Sequence, residues 1–447
     1  MAKILLACHQ FFPRYYTGTE ILTLEVAEEL RKRQYEVAII TTEPILPGDP
    51  MPEHAVLRKD TYEGFSIWRL FVPNLVNPVE RLNRESDEEP LRKLFDEVLD
   101  EFSPDIVHSF HLMRLTLTFV NCVKERGIPF FLTVTDFWLI CPTYQLIRYN
   151  DTLCEGQEAK QCFVCLTGVY AKRMTKVPLK FRLAQKFPRL AARFNQSASE
   201  CQKILEERVI RNRTIMELAN GVMWANSFIQ DMFHKNGMSN NKEQIVSFPI
   251  PKRAKGLIDL PPASLEGPLK VAFIGTLRHS KGPQVLLEAC KILAGEKYNE
   301  DYIEIYIWGS ADNQTFEVGL KKSVETIKWI YFCGTFPQEK FPVVLRDIHV
   351  VVIPSLWYEN TPLTAISVLA AHRVLVVSDL GGLSTIINDG VSGFAFPAGD
   401  AYKLASILIK LSKDRKLIKT ITEAAPKPNC LEDYVDKILA LYHLKTT

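Results

Sequence analysis

No stretch of this 447-residue sequence approaches the roughly 18 uninterrupted apolar residues of a spanning helix, so no membrane crossing is expected. An excess of one charge is lacking too. Lys and Arg number 54 against 52 Asp and Glu, and that balance excludes the global basic field of a nucleic-acid binder. A disulfide framework is missing from most of the chain: Cys8, Cys122, Cys290 and Cys333 stand singly in apolar runs, as in a reducing cytosol. The apolar opening, Met1 to Cys8, lacks a small-residue cleavage pattern and soon meets His9, Gln10 and Arg14, so it reads as a first strand rather than a leader.

What is present is an ordinary globular composition, 47% hydrophobic and 24% charged, in a chain longer than one core usually organises. Two domains are expected. Buried strands read at Lys3 to Ala7, Glu36 to Thr42, Ser66 to Leu70, Asp105 to His108, Phe130 to Val134 and Val222 to Ala225, with helical patterns between them. A second series reads at Lys270 to Ile274, Ile303 to Trp308, Trp329 to Cys333, Ile348 to Ile353 and Val374 to Ser378. Alternating β and α at this spacing predicts an α/β fold of two parallel, doubly wound sheets. The expected boundaries are 1–250 for the N-terminal domain, with an insert at 141–200, then a Pro-rich linker at 251–268 and a C-terminal domain at 269–425. A last helix within 426–447 lies beyond Pro426-Lys427-Pro428, detached enough to pack back on the first domain.

The densest wording lies between Ile348 and Asp400. The strand ending at Ile353 is stopped by Pro354-Ser355, and Asn360 or Thr361 is placed to cap a helix with Pro362 at its first position. Glu359 then sits just outside a helix N-terminus. In open α/β sheets ligands collect at the carboxyl ends of strands, where such N-termini point bare N–H groups outward. The long loop from Phe11 to Glu20, after the first strand, has the same kind of position.

Several pieces of wording match in order and spacing: Thr17-Gly18-Thr19-Glu20, Asp105-Ile106-Val107-His108, Phe273-Ile274-Gly275-Thr276-Leu277 with Lys281-Gly282, Tyr358-Glu359-Asn360-Thr361-Pro362, and Gly381-Gly382 with Asn388-Asp389-Gly390. On these, the sequence resembles the family 4 retaining glycosyltransferases (glycosyl transferases group 1), over essentially its whole length. The resemblance implies the GT-B fold, two Rossmann-like domains with an interdomain cleft, the first on the acceptor side and the second binding a nucleotide diphosphate sugar. It implies a hexosyltransferase-type enzyme of glycan biosynthesis that moves a sugar to a glycan or lipid-linked acceptor and needs no cofactor for catalysis. Its alternative is a degenerate homologue acting as a partner subunit or sugar-nucleotide binding module.

By the same resemblance Lys281 neutralises the diphosphate and Glu359 positions the donor sugar, with Asp136 the third catalytic candidate. The donor-binding set is Gly18, Gly275, Thr276, Arg278, Asn360, Thr361, Pro362, Leu363, Ser367, Gly381 and Gly382. Several positions depart from the family wording, among them His349, His372-Arg373 and Thr385, and three more bear directly on the expected site. Ser367 stands where a second glutamate holds the ribose, at a cost of about 1–2 kcal/mol of donor affinity. Thr135 replaces a histidine, and Thr276 an arginine for which Arg278 is the nearest substitute.

Two features lie outside that wording. Cys141, Cys154, Cys162 and Cys165 fall within 25 residues, the last two as C-x2-C. This spacing suits a structural zinc site, a set of free thiols, or a disulfide formed on isolation. From Ala159 to Ser199 there is no acidic residue, while nine Lys and Arg lie between Lys160 and Arg193 with Phe181, Phe187 and Phe194 among them. Residues 160–194 are therefore expected to make a peripheral contact with an anionic membrane face or a lipid pyrophosphate acceptor rather than with nucleic acid. The bland reading of the same stretch is a solvated helical face.

Overall fold

The computed structural model describes residues 1–44, 54–72, 82, 89–173, 196–252 and 256–443. Two compact units divide the chain. The first comprises Met1–Ala225, Gln230–Val246 and Val435–Thr447, the second Asn226–Ile229 and Ser247–Tyr434. Most of the basic stretch 160–194 lies outside the described residues, from 174 onward.

Among the described residues the first unit has eight strands: β1 (Lys3–Cys8), β2 (Glu36–Pro44), β3 (Val56–Tyr62), β4 (Phe65–Val72), β5 (Ile106–Ser109), β6 (Phe130–Val134), β7 (Gly221–Trp224) and β8 (Glu243–Ile245). They lie in the order β3-β4-β2-β1-β5-β6-β7-β8. β1 is flanked by β2 and β5, so the winding reverses direction beside it. The expectation of a wholly parallel sheet fails at one edge, where β3 runs antiparallel to β4. Glu63 (φ 50°) and Gly64 (φ 79°) form the two-residue connection, the left-handed pair that a tight hairpin requires. Arg58, Lys59 and Asp60 hid β3 from a search for buried strands, and charge of this kind is how sheet edges avoid further pairing.

The second unit has six strands: β9 (Leu269–Ile274), β10 (Ile303–Trp308), β11 (Ile330–Gly334), β12 (Val350–Ile353), β13 (Val374–Ser378) and β14 (Phe394–Phe396). All pairs are parallel, in the order β11-β10-β9-β12-β13-β14, and the winding reverses between β9 and β12. Successive side chains of a strand point to opposite faces, which explains the unbroken apolar runs of β12 and β13. Val350, Val352, Val374 and Val376 enter one core with the helices Pro283–Gly295 and Ala401–Lys413. Val351, Ile353, Leu375 and Val377 enter the other with the helix Leu363–Ala370. Leu257, within the stretch read as a linker, is buried in this second core.

The last helix, Leu431–His443, brings its end to the sheet of the first unit. Leu441 covers Gly221, where an added Cβ would lie 2.7 Å from its side chain. The Tyr442 hydroxyl is 2.7 Å from Nδ1 of fully buried His108, whose Nε2 is 2.8 Å from the Thr133 hydroxyl.

Burial lowers the His108 pKa from 6.5 to about 3. The unfolded chain therefore takes up a proton below pH 6.5 that the folded chain refuses until about pH 3. Stability from this site is present above the first value and lost as pH falls toward the second, with a limiting slope of about 1.4 kcal/mol per pH unit. Urea midpoints across that window should fall with pH, and His108→Gln should flatten the fall. An equal slope in the variant would assign the acid sensitivity elsewhere.

Candidate functional site

Each unit places its polar groups where its strand order reverses. In the second unit β9 and β12 are neighbours, and the loops that leave their carboxyl ends carry Lys281 and Glu359. Glu359 is 6% exposed, and three donors converge on its Oε1: Lys281 Nζ at 2.6 Å, Trp357 Nε1 at 2.7 Å and Ser355 Oγ at 2.8 Å. Lys281 Nζ also lies 5.0 Å from the Trp357 ring centroid. A buried carboxylate is tolerated because it is paired and hydrogen-bonded at once. All three bonds fall on one carboxylate oxygen, and Lys281, only partly covered, keeps donor capacity for an incoming anion.

The two loops are locked together by backbone. Leu356 N donates to Ser280 O at 2.8 Å, and Gly282 adopts φ 72° with an added Cβ only 1.8 Å from Pro354 O. A side chain cannot replace this glycine without pushing the loops apart. Gly382 is equally constrained from the far side, since its N–H donates to Glu359 O at 2.9 Å and a Cβ would stand 1.8 Å from Asn360 O. Gly381 (φ 65°) rests on Tyr358.

The helix after Glu359 begins one residue later than expected. It runs Leu363–Ala370, with Pro362 as N-cap at ψ 128° and no side-chain cap. Asn360 and Thr361 are engaged instead by Asn226, whose Nδ2 donates to Asn360 O and Thr361 Oγ1, both at 2.9 Å. Asn226 Oδ1 meanwhile accepts from Ile229 N at 2.9 Å. Leu363, the first residue of the helix, has no intrahelical partner for its N–H, as the geometry of helix ends dictates. Ser367 is 2% exposed within that helix.

Gly275 follows β9, and its carbonyl lies 1.9 Å from where a Cβ on Gly309 would stand. Thr276 contributes its carbonyl to a turn with Arg278 N. The Arg278 guanidinium turns to Asp312 and not to Glu359. It therefore stands apart from the group that Lys281 joins.

In the first unit the corresponding neighbours are β1 and β5, followed by His9 and His111, with Asp136 after β6. Met113 N donates to His111 Nδ1 at 3.0 Å, so Nε2 carries the proton and donates to Asp136 Oδ2 at 2.8 Å. Asp136 Oδ1 accepts from Trp138 N at 2.8 Å. The His9 ring lies over His111 with centroids 4.0 Å apart. Burial, then the neighbouring charges of His111 and Arg114, hold His9 far below the usual imidazole range and therefore neutral. Arg114 donates to His9 O at 2.9 Å from a left-handed backbone (φ 70°), and β-branched Thr116 nearby has φ 61°. Strain of that kind persists only where surroundings enforce it. Thr135, in the expected histidine position, spends its hydroxyl on Phe110 O at 2.9 Å. Gly18 opens the helix Gly18–Lys32 in this unit, while the other donor-binding candidates belong to the second.

Among the described residues, Cys8, His9 and Glu20 form the group whose metal-ligating atoms lie within 4.8 Å of one another. Its chemistry fits a cap better than a cation. Burial and Glu20 push the Cys8 thiol up to about 12, and Glu20 Oε2 already accepts from Thr17 N at 2.8 Å and Thr17 Oγ1 at 2.6 Å. Sequence reading missed His9, Ser355, Trp357 and Asn226. The middle two lie within four residues of Glu359 and were open to discovery, whereas Asn226 is 134 residues from its partner Asn360.

The family model for glycosyl transferases group 1 matches residues 261–428. The amylovoran biosynthesis glycosyltransferase AmsK of Erwinia amylovora is 29% identical over 170 residues, 36% of this chain and 40% of that protein. The phosphatidyl-myo-inositol mannosyltransferase of Mycobacterium leprae is 28% identical over 145 residues, 32% of this chain and 37% of that protein. The chain spans only 33% to 40% of the length of the first curated relatives it matches. Among solved structures, sucrose-phosphate synthase of Thermosynechococcus elongatus superposes with a TM-score of 0.64 at 15% identity, covering 100% of this chain and 99% of that one. Anabaena HepE, solved with UDP and glucose, gives 0.62 at 13% identity and covers 100% of both chains. Likeness at such identities shows the fold, which is GT-B.

The constraint at Gly282 is open to a direct test. Gly282→Ala should destabilise the second unit by about 1–3 kcal/mol in urea titrations, the usual cost of overpacking plus a strained left-handed alanine. Gly295→Ala is the control, because nothing lies within 4 Å of its added Cβ and helical alanine is favoured by roughly 0.5–1 kcal/mol.

Proposed function

We propose that this chain, matched over residues 261–428 by the group 1 glycosyl transferases and built on the GT-B fold, is a retaining glycosyltransferase. It takes a sugar from a nucleotide diphosphate sugar and passes it to a glycan or lipid-linked acceptor. The observation that carries this reading is the Lys281–Glu359 pair, drawn from the two loops that leave the second sheet at its reversal point.

Bond breaking at the anomeric carbon leaves negative charge on the departing diphosphate, so a fixed cation at that oxygen favours the transition state over the ground state. Lys281 supplies that charge, helped by free N–H groups at the start of the helix Leu363–Ala370. No metal ion is then required at the diphosphate. Glu359, fixed by Ser355 and Trp357, orients the sugar hydroxyls. A leaving-phosphate oxygen accepts the acceptor proton on the face it departs from, which preserves the anomeric configuration. His111 and Asp136 are the polar pair that the first unit offers to an acceptor. The nine cations between Lys160 and Arg193 suit a lipid-linked or membrane-borne one, held peripherally; no described helix is long and apolar enough to cross a membrane.

The test is a panel of nucleotide sugars scored for slow donor hydrolysis, for transfer, and by NMR for the product's anomeric configuration. Lys281→Ala and Glu359→Gln should each lower kcat/KM by about 10²–10³ while the fold is kept. Full activity in Glu359→Gln would remove the proposed site. Inverted product would remove the retaining mechanism. Binding of donors with neither hydrolysis nor transfer would favour the non-catalytic reading that Ser367 raises.

A further inference from the structure

We infer that Cys141, Cys154, Cys162 and Cys165 form a tetrathiolate site for a structural zinc ion, which fastens the loop carrying Asp136. The inference stands on how the fold gathers the four residues, and it is independent of the activity proposed above. Residues 146–154 turn back on themselves through an antiparallel bridge between Ile147 and Leu153, with Cys154 N donating to Leu146 O at 2.8 Å. Cys162 and Cys165 lie three apart on the helix Ala159–Arg173, and so on one face. That face meets the hairpin: Cys165 Sγ approaches Ile147 O at 3.8 Å, and one turn further Gly168 fits so closely under Tyr149 that a Cβ would lie 2.4 Å from its ring. Cys141 lies on a turn whose amide bonds to Phe137 O at 2.7 Å.

The hairpin that bears Cys154 thus packs on the helix that bears Cys162 and Cys165, and Cys141 lies on the turn that leads into that hairpin. All four are free thiols. No three of these sulfurs lie within 4.8 Å of one another among the described residues, so loading involves a contraction. Zn–S bonds of about 2.3 Å would draw the sulfurs in, each thiol giving its proton to solvent as Zn²⁺ adds four thiolates.

The consequence for function runs through a short path. Cys141 is five residues beyond Asp136, and the intervening turn is held by Arg208, which donates to Leu139 O at 3.3 Å and to Trp138 O. Arg208 also donates at 3.1 Å to Gln157 Oε1, between Cys154 and Cys162. Zinc at the cysteines would therefore act on Asp136 as a positioning group, through the loop and not by contact.

The experiment is metal analysis of the full chain purified without chelator, paired with zinc release on titration by a mercurial. About one zinc per chain is expected, released in step with modification of four thiols. Cys165→Ser and Cys154→Ser should each lose the metal, with faster proteolysis of residues 141–165, while the donor-induced thermal shift of the second unit persists. Stoichiometric zinc retained by both variants would overturn the assignment. So would wild-type protein with less than about a tenth of an equivalent that takes up none on dialysis against zinc. A Cys162–Cys165 disulfide found by mass spectrometry in protein handled under reductant would overturn it as well. Should a variant fail to fold, wild-type metal content and the release stoichiometry still decide.

Discussion

Parallel strands cannot be joined by tight turns, and this constraint governs both units. Each crossover must carry the chain the length of the sheet, so every loop at the carboxyl ends is a return path that starts from a rigid strand. Where successive crossovers wind in opposite directions, two adjacent loops diverge and leave a crevice. In the second unit that happens between β9 and β12, in the first between β1 and β5. The residues with unusual chemistry follow those strands: Lys281 and Glu359 in one, His9 and His111 in the other. Winding order places the groups, and local sequence then decides what they are.

The two crevices are furnished differently. In the second unit one carboxylate oxygen gathers three donors, an arrangement suited to holding a partly buried charge in a single position. In the first, His111 has one tautomer because Met113 N occupies Nδ1, and the ring of neutral His9 leans on it at 37°. Glycines at 282 and 382 allow the loops of the second unit to touch backbone to backbone, while Arg114 and Thr116 hold left-handed conformations in the first. Each reversal point thus carries strain or close approach of its own, which the strands and helices around it sustain.

Much of this was legible in the sequence for a physical reason. Strands buried on both faces, such as β6 and β13, read as nearly continuous apolar runs, and their observed limits agree with the expected ones. Three of the four edge strands were illegible because their chemistry is the opposite: β3 is charged, and β8 and β14 have three residues each. At the site, Glu359 and Lys281 were found through wording near glycine turns, yet their pairing across 78 positions was not. Arg278 was expected beside them, but Asp312, from the loop after β10, holds it instead. Asn360 and Thr361 were expected to cap a helix, but Asn226 engages them, and no local pattern announces a partner so distant in sequence.

The contact of Tyr442 with His108 bears on the order in which the molecule is made. The first unit is not a continuous segment, for its sheet is covered in part by residues that follow the entire second unit. While the chain grows from its N-terminus, His108, Phe131 and Gly221 wait without their cover until residues 441 and 442 leave the ribosome. The second unit, from Ser247 to Tyr434, is by then fully synthesised. The half that begins first is therefore the half that finishes last, and a cut before residue 435 would yield an uncapped sheet rather than a free-standing domain.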